Sequence, residues 1–235
     1  MVSIDTLRVG RAAPHGKDGY RSGIAKYPVD VPTRLTRDGF VGDEQGDRRF
    51  HGGPEKAVHH YAAEHYGHWR EALPRANCLE PGGFGENLST HGMDEADIAI
   101  GDVFRIGTAL VQVSQGRQPC WKLNDRFGIA DMAERVQSTG RAGWYYRVLE
   151  EGIVATGSEC HLIDRPTPEW TVRRVWQIFY LDPLDRASLE GITALPTLSD
   201  SWRGHARRRL ETGKIEDWRQ RLYGPSGAPA RLATE

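Results

Sequence analysis

Cysteine is scarce in this chain of 235 residues, which has only Cys78, Cys120 and Cys160. The three are scattered, with neither C-x-x-C nor paired spacing, which argues against structural zinc and thioredoxin-type redox chemistry. An odd count favours reduced thiols, and residues 1–16 lack an apolar signal core, so a cytoplasmic protein is expected. Long apolar runs are also missing: none reaches the ~18 residues of an ordinary membrane span. Net charge is nearly absent, since 31 Lys and Arg against 32 Asp and Glu leave a formal −1. Such a chain has no overall field for a nucleic-acid polymer or an anionic membrane, and any basic patch must be local. There is no flavin or haem motif, no iron–sulfur cysteine set and no internal repeat.

What remains suits a globular protein with a sizeable core, as one large or two small domains: 38% of residues are hydrophobic and 27% charged. The most informative stretch is 110–124, L-V-Q-V-S-Q-G-R-Q-P-C-W-K-L-N. It begins as a strand, with Val111 and Val113 alternating against Gln112 and Ser114. Gly116 and Pro119 break the ladder and put Cys120 at the mouth of a loop. Arg117 and Lys122 lie close in sequence and favour the reactive thiolate. A lone cysteine is more often an inert core residue, but the breakers and cations around this one favour a functional thiol.

Around it, residues 2–9 read as one strand and 22–26 as a second. The segment 48–54, R-R-F-H-G-G-P, can bring backbone N–H groups to an anion or be a simple turn. Residues 57–61 read as a strand with Val58 and His60 on one face, and 63–73 as a helix with Tyr66, Trp69 and Leu73 in a core stripe. Histidines 60, 65 and 68 do not reproduce H-E-x-x-H, so zinc is weakly indicated. A second glycine-rich loop, 81–87, ends in Glu86 and Asn87. Short strands at 97–100, 102–106 and 109–115, separated by Gly101 and Gly107, argue for a β-barrel over a parallel α/β sheet. Helical spacing over 129–136 stops at Gly140, and strands follow at 143–148, 153–156 and 160–163. Pro166 and Pro168 mark a linker. Beyond it Thr171 caps a helix with a Val172, Val175, Trp176, Phe179 stripe. Pro183 opens a second helix stopped by Gly191, Ser199 caps a third, and 215–222 adds a last turn or two. Residues 225–235 read as a frayed tail.

Taken together these segments resemble the MOSC family, named for the C-terminal domain of molybdenum-cofactor sulfurases, and more closely its bacterial YiiM-type members with a small three-helix domain. The matching motifs are G-D-E-Q at 42–45, H-G-G-P at 51–54, F-G-E-N-L-S-T at 84–90, G-D-x-F at 101–104, V-S-Q-x-R-x-P-C-x-K-L-N at 113–124 and G-K-I-E-D at 213–217. The resemblance implies a mainly β fold with α: a MOSC-type β-barrel with peripheral helices over 1–165 (core about 20–165), then a three-helix domain over 169–224. It implies a molybdenum cofactor (molybdopterin) with Cys120 as metal ligand, and reduction of N-hydroxylated compounds such as purine bases as a detoxification. One departure is His59, where the bacterial pattern usually has cysteine.

The cofactor's anionic end then needs local cations and backbone donors, for which Lys26, Arg117, Lys122, His51, Gly52 and Gly53 are the candidates. Asn87 can donate and accept at a pterin edge, Glu86 can orient a cation, and His60 is a candidate proton source beside the reading of a satisfied structural histidine. With no second redox group in the chain, electrons are expected from a separate reductase, and the substrate is a small N-hydroxylated molecule. Two other classes stand beside this one: a non-catalytic carrier of cofactor or sulfur at Cys120, and a metal-free cysteine enzyme.

Overall fold

The computed structural model describes residues 2–16, 19–46 and 52–225. In chain order the strands begin with β1 (Val2–Ser3), β2 (Thr6–Val9), β3 (Ala13–His15), β4 (Tyr20–Ser22), β5 (Tyr27–Pro28), β6 (Thr33–Thr36) and β7 (Gly39–Phe40). They continue with β8 (Val58–Ala62), β9 (Leu88–Thr90), β10 (Val103–Ile106), β11 (Ala109–Gly116), β12 (Trp144–Glu150), β13 (Gly152–Val154) and β14 (Glu159–Asp164). The main sheet has nine strands in the order β1-β14-β10-β11-β12-β8-β9-β2-β5. Its pairs are antiparallel except β8 with β9. A three-stranded sheet, β13-β6-β7, and the β3–β4 hairpin lie beside it.

The expected closed barrel is not supported by this ladder, which has β1 and β5 at its two ends. The sheet nevertheless curls strongly. The expected first strand, 2–9, is broken at Ile4 and Asp5 into β1 and β2, which pair with β14 and β9 respectively. Ser3 and Thr6 can be at most ~11 Å apart along the chain. Seven strand spacings separate β1 from β2 in the sheet order, and laid flat they would span about 34 Å. Only a curled sheet reconciles the two. Val58, Val111, Val113, Trp144 and Tyr146 fill its inside and are fully buried or nearly so. Each such side chain contributes about 1.5–3 kcal/mol relative to exposure.

Seven α-helices are found among the described residues: α1 (His65–Ala72), α2 (Lys122–Phe127), α3 (Met132–Thr139), α4 (Val172–Tyr180), α5 (Arg186–Thr193), α6 (Asp200–Thr212) and α7 (Arg219–Tyr223). The Thr171 hydroxyl accepts from the Arg174 amide at 3.1 Å, and Val172, Val175, Trp176 and Phe179 form the buried stripe. The second helix differs from expectation. Asp185, not Pro183, caps it, accepting from the Ser188 amide at 3.0 Å, and Gly191 lies inside it. A Cβ at Gly191 would come within 2.6 Å of the Trp170 ring, so the glycine serves packing rather than a stop. Ser199 precedes α6 without capping it through its side chain. Residues 97–100 are a turn with one isolated bridge, Ala99 to Thr171, and 23–26 are irregular.

The helices after the proline linker share one hydrophobic core with the sheet. Trp176 Nε1 donates to Gln137 O at 2.9 Å, and the Ser199 amide to Ser114 O at 3.0 Å. A Cβ on Gly116, at the end of β11, would sit 3.4–3.5 Å from Trp176, Trp202 and Val172. No helix among the described residues is long and apolar enough to cross a membrane.

Candidate functional site

The cavity that contains Cys120 opens on the outer side of the curled sheet, and strand parity explains what lines it. In the β8–β12 ladder Trp144 stands opposite His60, Tyr145 opposite His59, and Tyr146 opposite Val58. Successive side chains point to opposite faces, so Val58, His60, Trp144 and Tyr146 go into the core. His59 and Tyr145, their rings 5.1 Å apart, face the cavity. His60 is therefore not a cavity residue. It is fully buried, with Nδ1 3.1 Å from Tyr146 Oη and Nε2 3.0 Å from Thr90 Oγ1, and burial lowers its pKa to about 3. An imidazole so placed stays neutral and is a poor proton source.

Cys120 follows β11 by four residues and precedes α2. It is 8% exposed, and none of the three cysteines forms a disulfide. The cavity, about 70 Å³, is also lined by Lys26, Lys56, Arg117 and Lys122, against the carboxylates of Asp43 and Glu44. Among the described residues, four cations against two anions leave a local balance of +2 in a chain whose total is −1. Lys26 is ion-paired with Asp43, and Lys122 Nζ donates to Arg21 O at 3.1 Å. Arg117 is 5% exposed; its Nη2 makes a long contact to Phe84 O, 3.4 Å, its guanidinium also interacts with the Tyr145 hydroxyl, and Nη1 is buried with no hydrogen-bond partner among the described residues. A buried unpaired donor costs about 1–3 kcal/mol. Arg117 Nη1 is thus a buried donor for which no acceptor lies among the described residues.

Burial lowers the Lys56 ammonium from its ordinary value, and the charge of Cys120 opposes the shift. Burial first, and then the charge of Arg117, push His59 well below its usual range. Its Nε2 lies 3.2 Å from Ala142 O.

The remaining residues named from the sequence take supporting positions. Asn87 lines the cavity, but its side chain is already committed. Its Oδ1 accepts from the His59 amide at 3.1 Å, and Nδ2 donates to Arg8 O at 3.1 Å and Asp43 Oδ2 at 2.9 Å. Asn87 therefore fixes Asp43 rather than offering a free amide edge. Glu86 is fully buried behind the glycine loop and does not line the cavity. It accepts from the amides of Gly82 (2.5 Å) and Phe84 (3.1 Å) and from Tyr66 Oη (2.6 Å). Gly52 and Gly53 lead into the turn Pro54–Lys56, and Lys56, not either glycine, reaches the cavity. Gly53 has φ 93°, the left-handed region that favours glycine. His51 lies outside the described residues. The structure adds Lys56, His59, Asp43 and Tyr145 to the site. For His59 a signal existed, because placing Val58 and His60 on the core face puts His59 on the other.

A second layer holds the wall in place. Glu95, 2% exposed, accepts from the amides of Ala142 (3.0 Å) and Gly143 (2.7 Å) and lies 2.8 Å from His65 Nε2. The Ala142 carbonyl meets His59, and the Gly143 carbonyl accepts the Arg117 amide at 3.0 Å. A Cβ on Gly143 would fall 2.2 Å from His60 O, so only glycine fits this turn.

Comparison with known proteins gives a consistent set of relatives. The chain matches the MOSC domain over residues 47–161 and the YiiM-like, 3-alpha helix domain over 170–213. It is 41% identical over 224 residues to Protein YiiM of Escherichia coli, covering 95% of this chain and 98% of that one. The crystal structure of YiiM from Escherichia coli superposes with a TM-score of 0.76 at 36% identity, covering 93% of this chain and all of that one. A protein of Gibberella moniliformis named Reductase is 36% identical over 214 residues, which are 90% of this chain but 37% of the fungal one.

Proposed function

The chain belongs to the MOSC family and carries the helical domain of its YiiM-like members, and from that premise we propose that it is a molybdenum-cofactor-dependent oxidoreductase. Its reaction is the reduction of N-hydroxylated compounds, such as N-hydroxylated purine bases, in a cytoplasmic detoxification. The N–O bond breaks, two electrons and two protons enter, an N–H bond replaces N–OH, and water leaves. The cofactor, when bound, supplies the two-electron chemistry. The fungal relative, a longer chain named Reductase, supports the redox reading, and a separate reductase supplies the electrons. The curled sheet acts as an open form of the MOSC-type barrel.

The observation that carries this reading is that Arg117 Nη1, in the same cavity as Cys120, is buried with no hydrogen-bond partner among the described residues. The donor set fits the group. Cys120 offers a thiolate, the soft ligand type that molybdenum requires. Lys26, Lys56, Arg117 and Lys122 hold an anionic end by charge-assisted hydrogen bonds. Asn87 and Glu86 act one step back, fixing Asp43 and the glycine loop, while Gly52 and Gly53 start the turn that delivers Lys56. Lys56 takes the proton-donating role first considered for His60. It lines the cavity, and burial brings its ammonium closer to neutrality.

The test is elemental analysis for molybdenum in protein from a cofactor-competent host, then turnover of an N-hydroxylated base with a supplied reductase. Cys120→Ser exchanges a soft thiolate for a hard hydroxyl and should fold normally while losing metal and turnover. Cys78→Ser and Cys160→Ser should retain both, since Cys78 is exposed away from the cavity and burial pushes the Cys160 thiol up to about 12. Metal without turnover would favour the carrier. Activity without metal would favour the cysteine enzyme. Full turnover by folded Cys120→Ser would sink the ligand assignment.

A further inference from the structure

The loop that carries Cys120 is held from the far end of the chain. Arg221, in α7, donates from Nη1 to Pro119 O at 2.6 Å, and its own carbonyl accepts the Trp121 amide at 2.8 Å. One residue therefore grips the peptide on both sides of Cys120, by side chain before it and by main chain after it. The guanidinium is fixed in turn: Nη2 bonds Gln137 Oε1 in α3, and the group lies 5.9 Å from the centre of the Tyr180 ring. Further contacts run the same way. Asn124 Nδ2 donates to Leu222 O at 2.8 Å, Gln118 Nε2 to Tyr180 Oη at 3.0 Å, and a Cβ on Gly224 would lie 3.1 Å from the Trp121 ring. Residues 118–124 thus lean on α4 and α7, and Trp121 and Lys122 also touch the β3–β4 hairpin at Tyr20, His15 and Arg21. Helix α7 also lies beyond residue 213, where the match to the three-helix domain ends.

We propose that Arg221 is a positioning residue for Cys120, and that α7 is thereby a working part of the active site. The inference builds on the reading that Cys120 carries the reaction. A loop after a broken strand has no ladder to hold it, yet a metal ligand must stay within a few tenths of an ångström of its working position. A doubly anchored guanidinium provides that stiffness at the cost of burying a charge, which is tolerated because Pro119 O and Gln137 Oε1 accept from it.

The test uses the full chain and two substitutions, Arg221→Ala and Arg221→Lys. Hydrogen exchange of the cofactor-free protein should show peptides covering 118–124 exchanging about tenfold faster or more in Arg221→Ala, as expected for loss of a charged hydrogen bond. Peptides of β8 and β12 should be unchanged. In loaded enzyme kcat should fall by a similar factor with KM little altered, and Arg221→Lys, which keeps one donor for Pro119 O, should recover part of both effects. Should Arg221→Ala fail to fold, Arg221→Lys alone must show the localised exchange and the kcat loss. Unchanged exchange over 118–124, or a loosened loop with full kcat, would overturn the proposal. Wild-type protein without turnover, but with the loop loosened in Arg221→Ala, would defeat the reductase reading and leave the clamp standing.

Discussion

Replacing Arg117 by Met should make the empty protein more stable and its binding worse. The guanidinium is 5% exposed, bonds the Phe84 carbonyl at the long distance of 3.4 Å, meets the Tyr145 hydroxyl, and leaves Nη1 unpartnered among the described residues. It shares the cavity with the cations Lys26, Lys56 and Lys122, of which Lys26 is ion-paired with Asp43. Met keeps much of the apolar stem and removes the unpaired donor and the like-charge repulsion. Relief of one buried unsatisfied group is worth about 1–3 kcal/mol, or roughly 2–12 °C in Tm at 2–4 °C per kcal/mol for a chain of this size. Adding phosphate reverses the order. At about one hundred times its Kd a bound anion stabilises the wild type by about 2.7 kcal/mol, whereas Arg117→Met should gain little. The assay is thermal unfolding of both proteins across a phosphate titration, with crossing Tm curves expected. A variant less stable than wild type without phosphate, or one that responds equally to it, would refute the reasoning.

Two further expectations concern groups behind the cavity wall. His60 has a folded pKa of about 3 against an ordinary 6.5, so between these values the unfolded chain binds the extra proton and stability falls as pH falls. The full effect is about 5 kcal/mol at most. His60→Gln, which keeps polar atoms for Tyr146 and Thr90, should flatten that acid limb in urea unfolding, and superimposable limbs would count against a neutral buried His60. Glu95→Ala strands the amides of Ala142 and Gly143 together with His65, and should cost about 3 kcal/mol or more. Glu95→Gln keeps one oxygen for the two amides and should cost clearly less, so equal urea midpoints for the two variants would remove Glu95 from its role.

The site unites segments that are far apart in sequence, and this explains its chemistry. Lys26 comes from an irregular passage, Lys56 from the turn after the first glycine pair, His59 and Tyr145 from neighbouring strands, and Arg117, Cys120 and Lys122 from one loop and helix start. Their combined field is positive although the chain is neutral, so anion recognition here depends on placement rather than composition.

The sequence alone determined the local elements and the chemistry of single positions. Alternation marked β8, β11 and β12, the Thr171 cap and its stripe marked α4, and two breakers with two cations marked Cys120, because these signals lie within a few residues of one another. Strand parity at 58–60 even held the information that His59 and His60 face opposite ways. Only the tertiary structure decided what those positions face. It split residues 2–9 between the two sides of a curled sheet, turned Glu86 and Asn87 into supports, and made Lys56 a cavity cation. It also laid α7 against the Cys120 loop, about a hundred residues away. The physical reason is common to all four. Hydrogen-bond saturation, burial and local charge are set by through-space neighbours, and no periodicity within one segment records which distant segment will supply them.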